Sequence, residues 1–356
     1  MVNMLSEDFA KLMKVLFRNY YRSANLEVSN IELREFGFQF FDKEGMVRHV
    51  SFKNAQELKQ YLVNNVPAHV YYSTALYRDP SNQDMDQKGW LGADLVFDID
   101  GDHLETESCR ATELMTLECL GDALEEVEKL IDVLTDDFGF TERDLRVYFS
   151  GHRGFHVHIE GDEVKRLSDN ERREIIDYLL MREFNTEHLI RRLRTRDVVL
   201  IDPKIRGVGG RVAEALHDID AELLEELQSK RDKVPRNVMG RLSSLNGEIS
   251  RKLAVHVDEV VTMDIHRLIR MHNSLHGKTG LRVAELGLGD LERGVEYVID
   301  LATPFKKGSL TIRLLRRLPV RRVMGVDVAG DEGSIVKVPI NIGIYLVMTG
   351  WGEFLD

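Results

Sequence analysis

The first twenty residues carry apolar side chains at helical spacing, with Phe9, Leu12, Met13, Leu16 and Phe17 on one side of residues 6 to 20. The period then drops to two. "ELREFGFQFFD" and "MVRHVSF" alternate and predict a strand pair joined around Lys43–Gly45, while "NAQELKQYLVNN" predicts a short helix and "AHVYYSTALY" a strand. Another strand, "ADLVFDID", precedes a long amphipathic helix expected over residues 112 to 137. "LRVYFSGHRGFHVHIEG" reads as two strands around a glycine-containing turn.

From 165 to 250 the chain becomes charged and helical. Ser168 and Glu171 form a capping-box pattern ahead of "RREIIDYLL", and "AELLEELQSKRDK" predicts a surface helix. After 250, "KLAVHVD", "RVAEL", "YVIDL", "SLTIRLL" and "VKVPINIGIYLVM" are all expected as strands. No internal repeat or low-complexity tract interrupts this order. The pattern predicts a mixed α/β fold with mixed β-sheets: a discontinuous core of residues 1–164 and 251–356, interrupted by a mostly helical insertion at 165–250.

Candidate chemistry starts in "ADLVFDID". Alternate side chains of a strand share a face, so Asp98 and Asp100 project together while Phe97 and Ile99 point the other way. Two carboxylates about 4 Å apart repel by roughly 4 kcal/mol at an effective dielectric near 20, so a shared proton or a cation relieves such a pair. Oxygen ligands suit Mg²⁺ or Mn²⁺. The plainer reading is a strand end running into an acidic turn. A calcium loop starting at Asp98 is excluded, because its glycine and final glutamate positions hold His103 and Cys109.

"SGHRGFH" offers phosphate-binding parts, since Gly151 and Gly154 expose backbone amides that Ser150, His152, Arg153 and His156 surround. A tight hairpin with a polar tip explains the same residues. His158 shares a strand face with His156. Further along, "HGKTG" is not a phosphate loop, because position 272 is His where glycine is required. It belongs to a dense donor set of Arg267, Arg270, His272, Ser274, His276 and Lys278, and Asp258 closes "LAVHVD" as a possible third carboxylate.

Composition narrows this only slightly. The net charge of −12 argues against nucleic acid as a partner, yet "RRLRTR" at 191–196 and "RLLRRLPVRR" at 313–322 are locally basic. The longest apolar runs are too short to span a bilayer, and "MVNMLSEDFAKLMK" lacks the pattern of a signal peptide. Cys109 and Cys119 give no disulfide framework, which points to a reducing, cytoplasmic setting.

Taken in order, "FDID", "SGHRGFH", "VDEVVT" and "RLIRMHNSLHGKTGL", with "REFGF" and "MVRHVSF" upstream, resemble the small, catalytic subunit of archaeal/eukaryotic-type DNA primases over roughly residues 30 to 350. The resemblance implies a primase-type catalytic core and template-directed nucleotidyl transfer on single-stranded DNA. Asp98, Asp100 and Asp258 would hold Mg²⁺ or Mn²⁺ and carry catalysis. Ser150, Gly151, His152, Arg153, His156, Arg270, Ser274 and His276 would bind the nucleoside triphosphate, with Glu35 and Arg48 as further substrate contacts. A large primase subunit is the implied partner in a heterodimer. Many relatives carry a zinc module after the paired-Asp strand. Here only His103, Cys109 and Cys119 remain, with Thr116 where a cysteine would complete the pair, so zinc is expected to be absent. A repair-type primase-polymerase and a noncatalytic scaffold subunit are the alternatives.

Overall fold

The computed structural model describes residues 6–229 and 233–355. The α/β architecture is built from small sheets, and every strand pairing among the described residues is antiparallel. Two four-stranded sheets organise the centre. One runs in the order Ala284–Leu286, Leu145–Phe149, Gly154–Ile159, Leu95–Asp100; the other in the order Leu268–Arg270, His69–Ser73, Phe36–Gln39, Val47–Val50.

The aspartate strand, Leu95–Asp100, shows why the first sheet buries one face. Phe97, Ile99, Phe155 and Val157 are fully buried, and helix Leu117–Asp136 lies over them with Ala123, Val127, Leu130 and Leu134. Each such side chain contributes about 1.5–3 kcal/mol of burial. The opposite face carries Asp98, Asp100, His156 and His158 toward the second sheet, whose Tyr72 hydroxyl lies 3.4 Å from His158 Nδ1. Gly154 permits this close register, since a Cβ there would stand 2.1 Å from the Ile99 carbonyl oxygen.

Several expected elements take other forms. The long helix starts at Leu117 because the Thr116 hydroxyl accepts from the Cys119 N–H at 3.2 Å as an N-cap, and residues Glu107–Arg110 form a separate single turn. "AHVYYSTALY" divides into strands His69–Ser73 and Ala75–Tyr77, which belong to different sheets. "KLAVHVD" is no strand: Lys252 and Leu253 finish a helix. The extended residues after them bond to other groups, Val255 N–H to the Leu179 carbonyl and His256 N–H to Glu126 Oε2.

"YVIDL" lies in helix Val295–Ala302, which buries Val298, Ile299 and Ala302 at helical spacing. "VKVPINIGIYLVM" is strand only to Pro339. Residues Ile340–Met348 are a helix buried almost all round, and a continuous apolar run does not distinguish that from a buried strand. In "AELLEELQSKRDK" the helix is described through Ser229, and residues 230–232 lie outside the described residues, as do Met1 to Leu5 of the expected non-signal segment.

A second apolar cluster lies within the helical region, built from Leu189, Ile201, Leu216, Leu223, Leu242 and Ile249 among others. Helix Asp169–Leu179 instead sends Ile176 and Leu179 into the main core. From the second cluster projects a hairpin, Ile190–Arg192 with Asp197–Val199. Arg191, Arg192, Arg194 and Arg196 are exposed on it and have no ion-pair partner among the described residues.

Candidate active site

Asp258 reaches Asp98 through backbone rather than through chain proximity. Its N–H donates to the Asp98 carbonyl at 2.8 Å, and the Thr262 hydroxyl donates to the Val96 carbonyl at 2.9 Å. These bonds run the short helix Glu259–Met263 along the aspartate strand. The Asp258 carboxylate caps that helix, accepting from the Val260 and Val261 N–H groups at 2.9 and 3.3 Å.

Burial pushes the Asp98 carboxyl up to about 6, and the Asp258 charge adds to the rise; Arg267, Arg270 and His103 oppose it without reversing it. Asp100 is raised too, by burial first and by the Asp102 and Asp98 charges, against a 3.0 Å bond from the Asp102 N–H. The nearest partner is His156, whose Nε2 lies 3.6 Å from Asp98 Oδ1. Burial, with Arg270 adding, pushes His156 down to about 3, so that imidazole is neutral. Oxygen donors, negative charge and, among the described residues, no Lys or Arg bonded to either aspartate of the strand fit a hard divalent cation. Among the described residues no three His, Cys, Asp or Glu groups converge closely enough to hold an ion alone. A Mg²⁺-type shell draws its remaining oxygens from water and phosphates.

The facing wall supplies donors. Gly151 turns the Ser150–Arg153 segment at φ +81°, and a Cβ there would stand 3.0 Å from His276 Cβ. The His152 ring stacks on His276 at 5.1 Å between centroids, and His69 meets His276 edge-on at 4.8 Å. His69 Nδ1 accepts from Arg270 Nη1 at 2.6 Å and from the Gly277 N–H at 3.3 Å, which places its own proton on Nε2. Burial pushes His152 down to about 4 and His69 to about 2, and holds His276 well below its usual range. The histidines are therefore neutral hydrogen-bonding groups, and positive charge comes from Arg267, Arg270 and exposed Lys278.

The pattern of the DNA primase small subunit family matches residues 97–288, which hold the aspartate strand, the turn and the donor segment. The "DNA primase small subunit PriS" of Pyrobaculum calidifontis is 43% identical over 97% of this chain and 100% of its own length. The chain belongs to the DNA primase small subunit family. Proteins of the same name from Saccharolobus islandicus and Thermoplasma volcanium are each 34% identical, over 98% and 96% of this chain and 97% of their own lengths. The polymerase domain of Mycobacterium tuberculosis Ligase D, solved in complex with DNA, is similar at a TM-score of 0.42 and 12% identity, covering 78% of this chain and 82% of that one.

Other residues singled out for a primase small subunit are engaged elsewhere. Arg153 is buried, donating from Nη1 to Asp102 Oδ1 at 2.6 Å and from Nη2 to the Cys109 carbonyl at 2.9 Å. The Ser274 hydroxyl donates to the Met271 carbonyl at 2.6 Å. His272 Nε2 donates to the Glu27 carbonyl at 2.7 Å, with its ring stacked on Tyr148.

Glu35 is fully buried, bonded to Lys88 Nζ at 2.6 Å and to Arg48 Nε at 2.9 Å. Burial alone would raise its carboxyl; those two cations hold it below the ordinary range. Arg48 remains over a third exposed.

The cysteine expectation is corrected. Cys109 and Cys119 form a disulfide between the single turn Glu107–Arg110 and the start of the long helix. Two cysteines cannot make a multi-bridge framework, but one bridge needs only two. Bonded sulfurs are no thiolate ligands, so the His103, Cys109 and Cys119 set is unavailable to zinc. The sequence reading missed His69; its period-two relation to Tyr71, over whose ring Arg270 lies at 5.1 Å, was the available signal.

Proposed function

We propose that this chain is the catalytic subunit of a DNA primase, joining nucleoside triphosphates into short RNA primers on single-stranded DNA for replication. The observation that carries the proposal is the backbone bond that sets Asp258 beside the aspartate strand, where burial and the Asp258 charge push the Asp98 carboxyl up to about 6. Mg²⁺ or Mn²⁺ held by these three carboxylates supplies, when bound, charge neutralisation of the triphosphate and activation of a primer 3′-hydroxyl. That hydroxyl, giving up its proton to solvent, attacks the α-phosphorus; the new O–P bond forms as the bond to the α,β-bridging oxygen breaks, and pyrophosphate leaves with that oxygen.

The chain's own residues bind and orient. Arg270, held by His69 and by the Tyr71 ring, places a fixed positive charge over the phosphates. His152, His276 and His156 supply neutral N–H donors from a wall shielded from water. The amides of the Ser150–Arg153 turn, Gly151 among them, complete the cradle. Arg48 is the substrate-facing end of the buried Glu35 pair. The outer arginines 191, 192, 194 and 196 are assigned to template phosphates, which positions the strand without reading its sequence.

A large primase subunit is the expected heterodimer partner; its proposed seat is exposed Ile335 of strand Ile335–Pro339, with exposed Leu315 and Leu355 just past the strands Ser309–Leu314 and Gly352–Phe354 of the same sheet. No helix among the described residues is long and apolar enough to cross a membrane. A cytoplasmic location suits the replication role. We assign residues 1–164 with 251–356 to the catalytic core and 165–250 to the insertion, whose first helix, Asp169–Leu179, packs into that core.

The test is primer synthesis from labelled nucleotides on single-stranded DNA, with Mg²⁺ or Mn²⁺ and with or without a candidate large subunit. Product made by the wild type and lost in both Asp98→Ala/Asp100→Ala and Asp258→Ala is the expected result. Undiminished synthesis by either variant sinks the catalytic assignment, and no wild-type product with the partner present brings the scaffold reading forward. Running ribonucleotides against deoxynucleotides in the same assay assigns the sugar preference.

A further inference from the structure

Gly101 follows directly on the aspartate strand, and both sulfurs of the Cys109–Cys119 bridge lie against that residue. A Cβ on Gly101 would stand 2.7 Å from Cys119 Sγ and 3.4 Å from Cys109 Sγ. Gly101 also donates its N–H to the Arg153 carbonyl at 3.0 Å, so the bridge supports the strand end and the glycine turn together. The Arg153 side chain closes the bracket. Its Nη2 reaches Cys119 Sγ at 3.3 Å as well as the Cys109 carbonyl, and its Nη1 holds Asp102, whose N–H donates to Asp100 Oδ1.

One run of contacts thus leads from sulfur to guanidinium to Asp102 to a catalytic carboxylate. On the far side, the Met115 N–H donates to the Tyr345 hydroxyl at 2.6 Å and pins the loop between the cysteines.

Cys109, Cys119 and Arg153 are 6%, 2% and 3% exposed, so there is no slack around them. Two thiols need van der Waals separation where the bridge needs only a bond, and in a close-packed interior that space must come from Gly101 or Arg153. A span of 10 residues constrains the unfolded chain less than a long loop would, so the position of this bridge is more telling than its contribution to stability.

We propose that the Cys109–Cys119 disulfide is a positioning element of the active site, an inference that rests on the primase reading. Joined, the sulfurs fix Gly101 and the Arg153 guanidinium, and through them the spacing between Asp100 and the phosphate-facing turn. Displacements of about 1 Å in such geometry cost up to about 100-fold in rate.

The test begins with thiol titration of never-reduced protein in denaturant. No reactive thiol is expected, and two would overturn the proposal. Nucleotide incorporation on a primed template then compares the wild type with Cys109→Ala/Cys119→Ala, below the melting midpoint of each, following KM for the nucleoside triphosphate and the Mn²⁺ requirement. A rise of roughly tenfold or more in either, with single-stranded DNA affinity unchanged, is expected; equal kinetics overturn the positioning role.

Arg153→Lys keeps the bridge and removes the bracket, so it decides the matter if the double variant does not fold. It should shift the same parameters, and unchanged values refute the proposal. Wild type treated with a dithiol, which delivers two electrons and two protons to the bridge and becomes a cyclic disulfide, should lose activity and regain it on reoxidation. Wild type inactive in every redox state refutes the primase reading and this inference with it, whereas active wild type with indifferent variants refutes the inference alone.

Discussion

Two sets of buried charge sit on neighbouring stretches of chain and are wired in opposite ways. Asp94, just ahead of the aspartate strand, meets Arg34 at 2.7 Å with both side chains almost wholly buried, and Glu35 meets Lys88 at 2.6 Å in the same manner. Arg34 also donates to the Ser73 carbonyl at 2.7 Å, and Lys88 to the Pro80 carbonyl at 2.7 Å. Four residues beyond Asp94, Asp98 has a neutral histidine at 3.6 Å and two more carboxylates nearby. A chain that supplies internal partners to its structural carboxylates and withholds them from Asp98 and Asp100 has the arrangement that the proposed cation site calls for.

The contrast predicts separable failures. The largest effect falls on activity: Asp258→Ala should lower primer synthesis by about 100- to 1000-fold, the scale of removing a group that stabilises developing charge, while the lost helix cap lowers stability by only about 1 kcal/mol. Lys88→Met and Asp94→Ala should do the reverse. Removing one partner of a buried pair costs about 3–5 kcal/mol, measurable as a lowered denaturant midpoint, before any effect on chemistry.

Smaller, and opposite in sign, is the effect of Asp98→Asn. The folded state raises Asp98 from 3.8 to about 6 and so binds its proton more tightly than the unfolded chain does. Stability from this group is present below 3.8 and lost as pH rises through about 6. The metal-free variant should therefore be more stable than wild type at pH 7.5 by up to about 3 kcal/mol in thermal or denaturant melts. Mn²⁺ should raise the wild-type melting temperature and leave the variant nearly unmoved. The affinity of the wild type for Mn²⁺ should weaken about tenfold per pH unit below about 6, one proton being displaced on binding; calorimetry across that range checks the slope.

The smallest effect belongs to the arginine hairpin. Alanine at 191, 192, 194 and 196 should weaken single-stranded DNA binding and flatten its salt dependence by about 0.7 per lost phosphate contact, with nucleotide KM unchanged. An unaltered salt slope would remove the hairpin from the template path.

Much of this contrast was legible in the sequence. Period two placed Asp98 and Asp100 on one face, and the glycines of the turn predicted the hairpin that carries His156 opposite Asp98. Asp258 was suspected on the right grounds but in the wrong element. Its segment is extended yet bonds to a strand carbonyl and a glutamate instead of a ladder, which no periodicity reveals. Helix Ile340–Met348 was missed because full burial erases the polar face that gives a helix its period. The disulfide was illegible for a different reason, since it depends on how the single turn Glu107–Arg110 meets the start of the long helix, and residue spacing is silent on that. Arg153 looked like an open phosphate ligand by its motif, and only its folded surroundings show a side chain bracketed by Asp102 and Cys109.

The bond from the Asp258 N–H to the Asp98 carbonyl also orders events in time. A ribosome delivers Asp98 and Asp100 early, then the turn hairpin that pairs with them, and then the whole helical insertion before Asp258 emerges. The fourth strand of that sheet, Ala284–Leu286, comes later still. Contacts of such long sequence separation form late because the intervening chain must close as a loop first. The proposed cation site is therefore among the last features a growing chain completes. A fragment that stops short of residue 258 should hold the pair of aspartates on a strand edge with neither the third carboxylate nor the backbone stitch that aligns it.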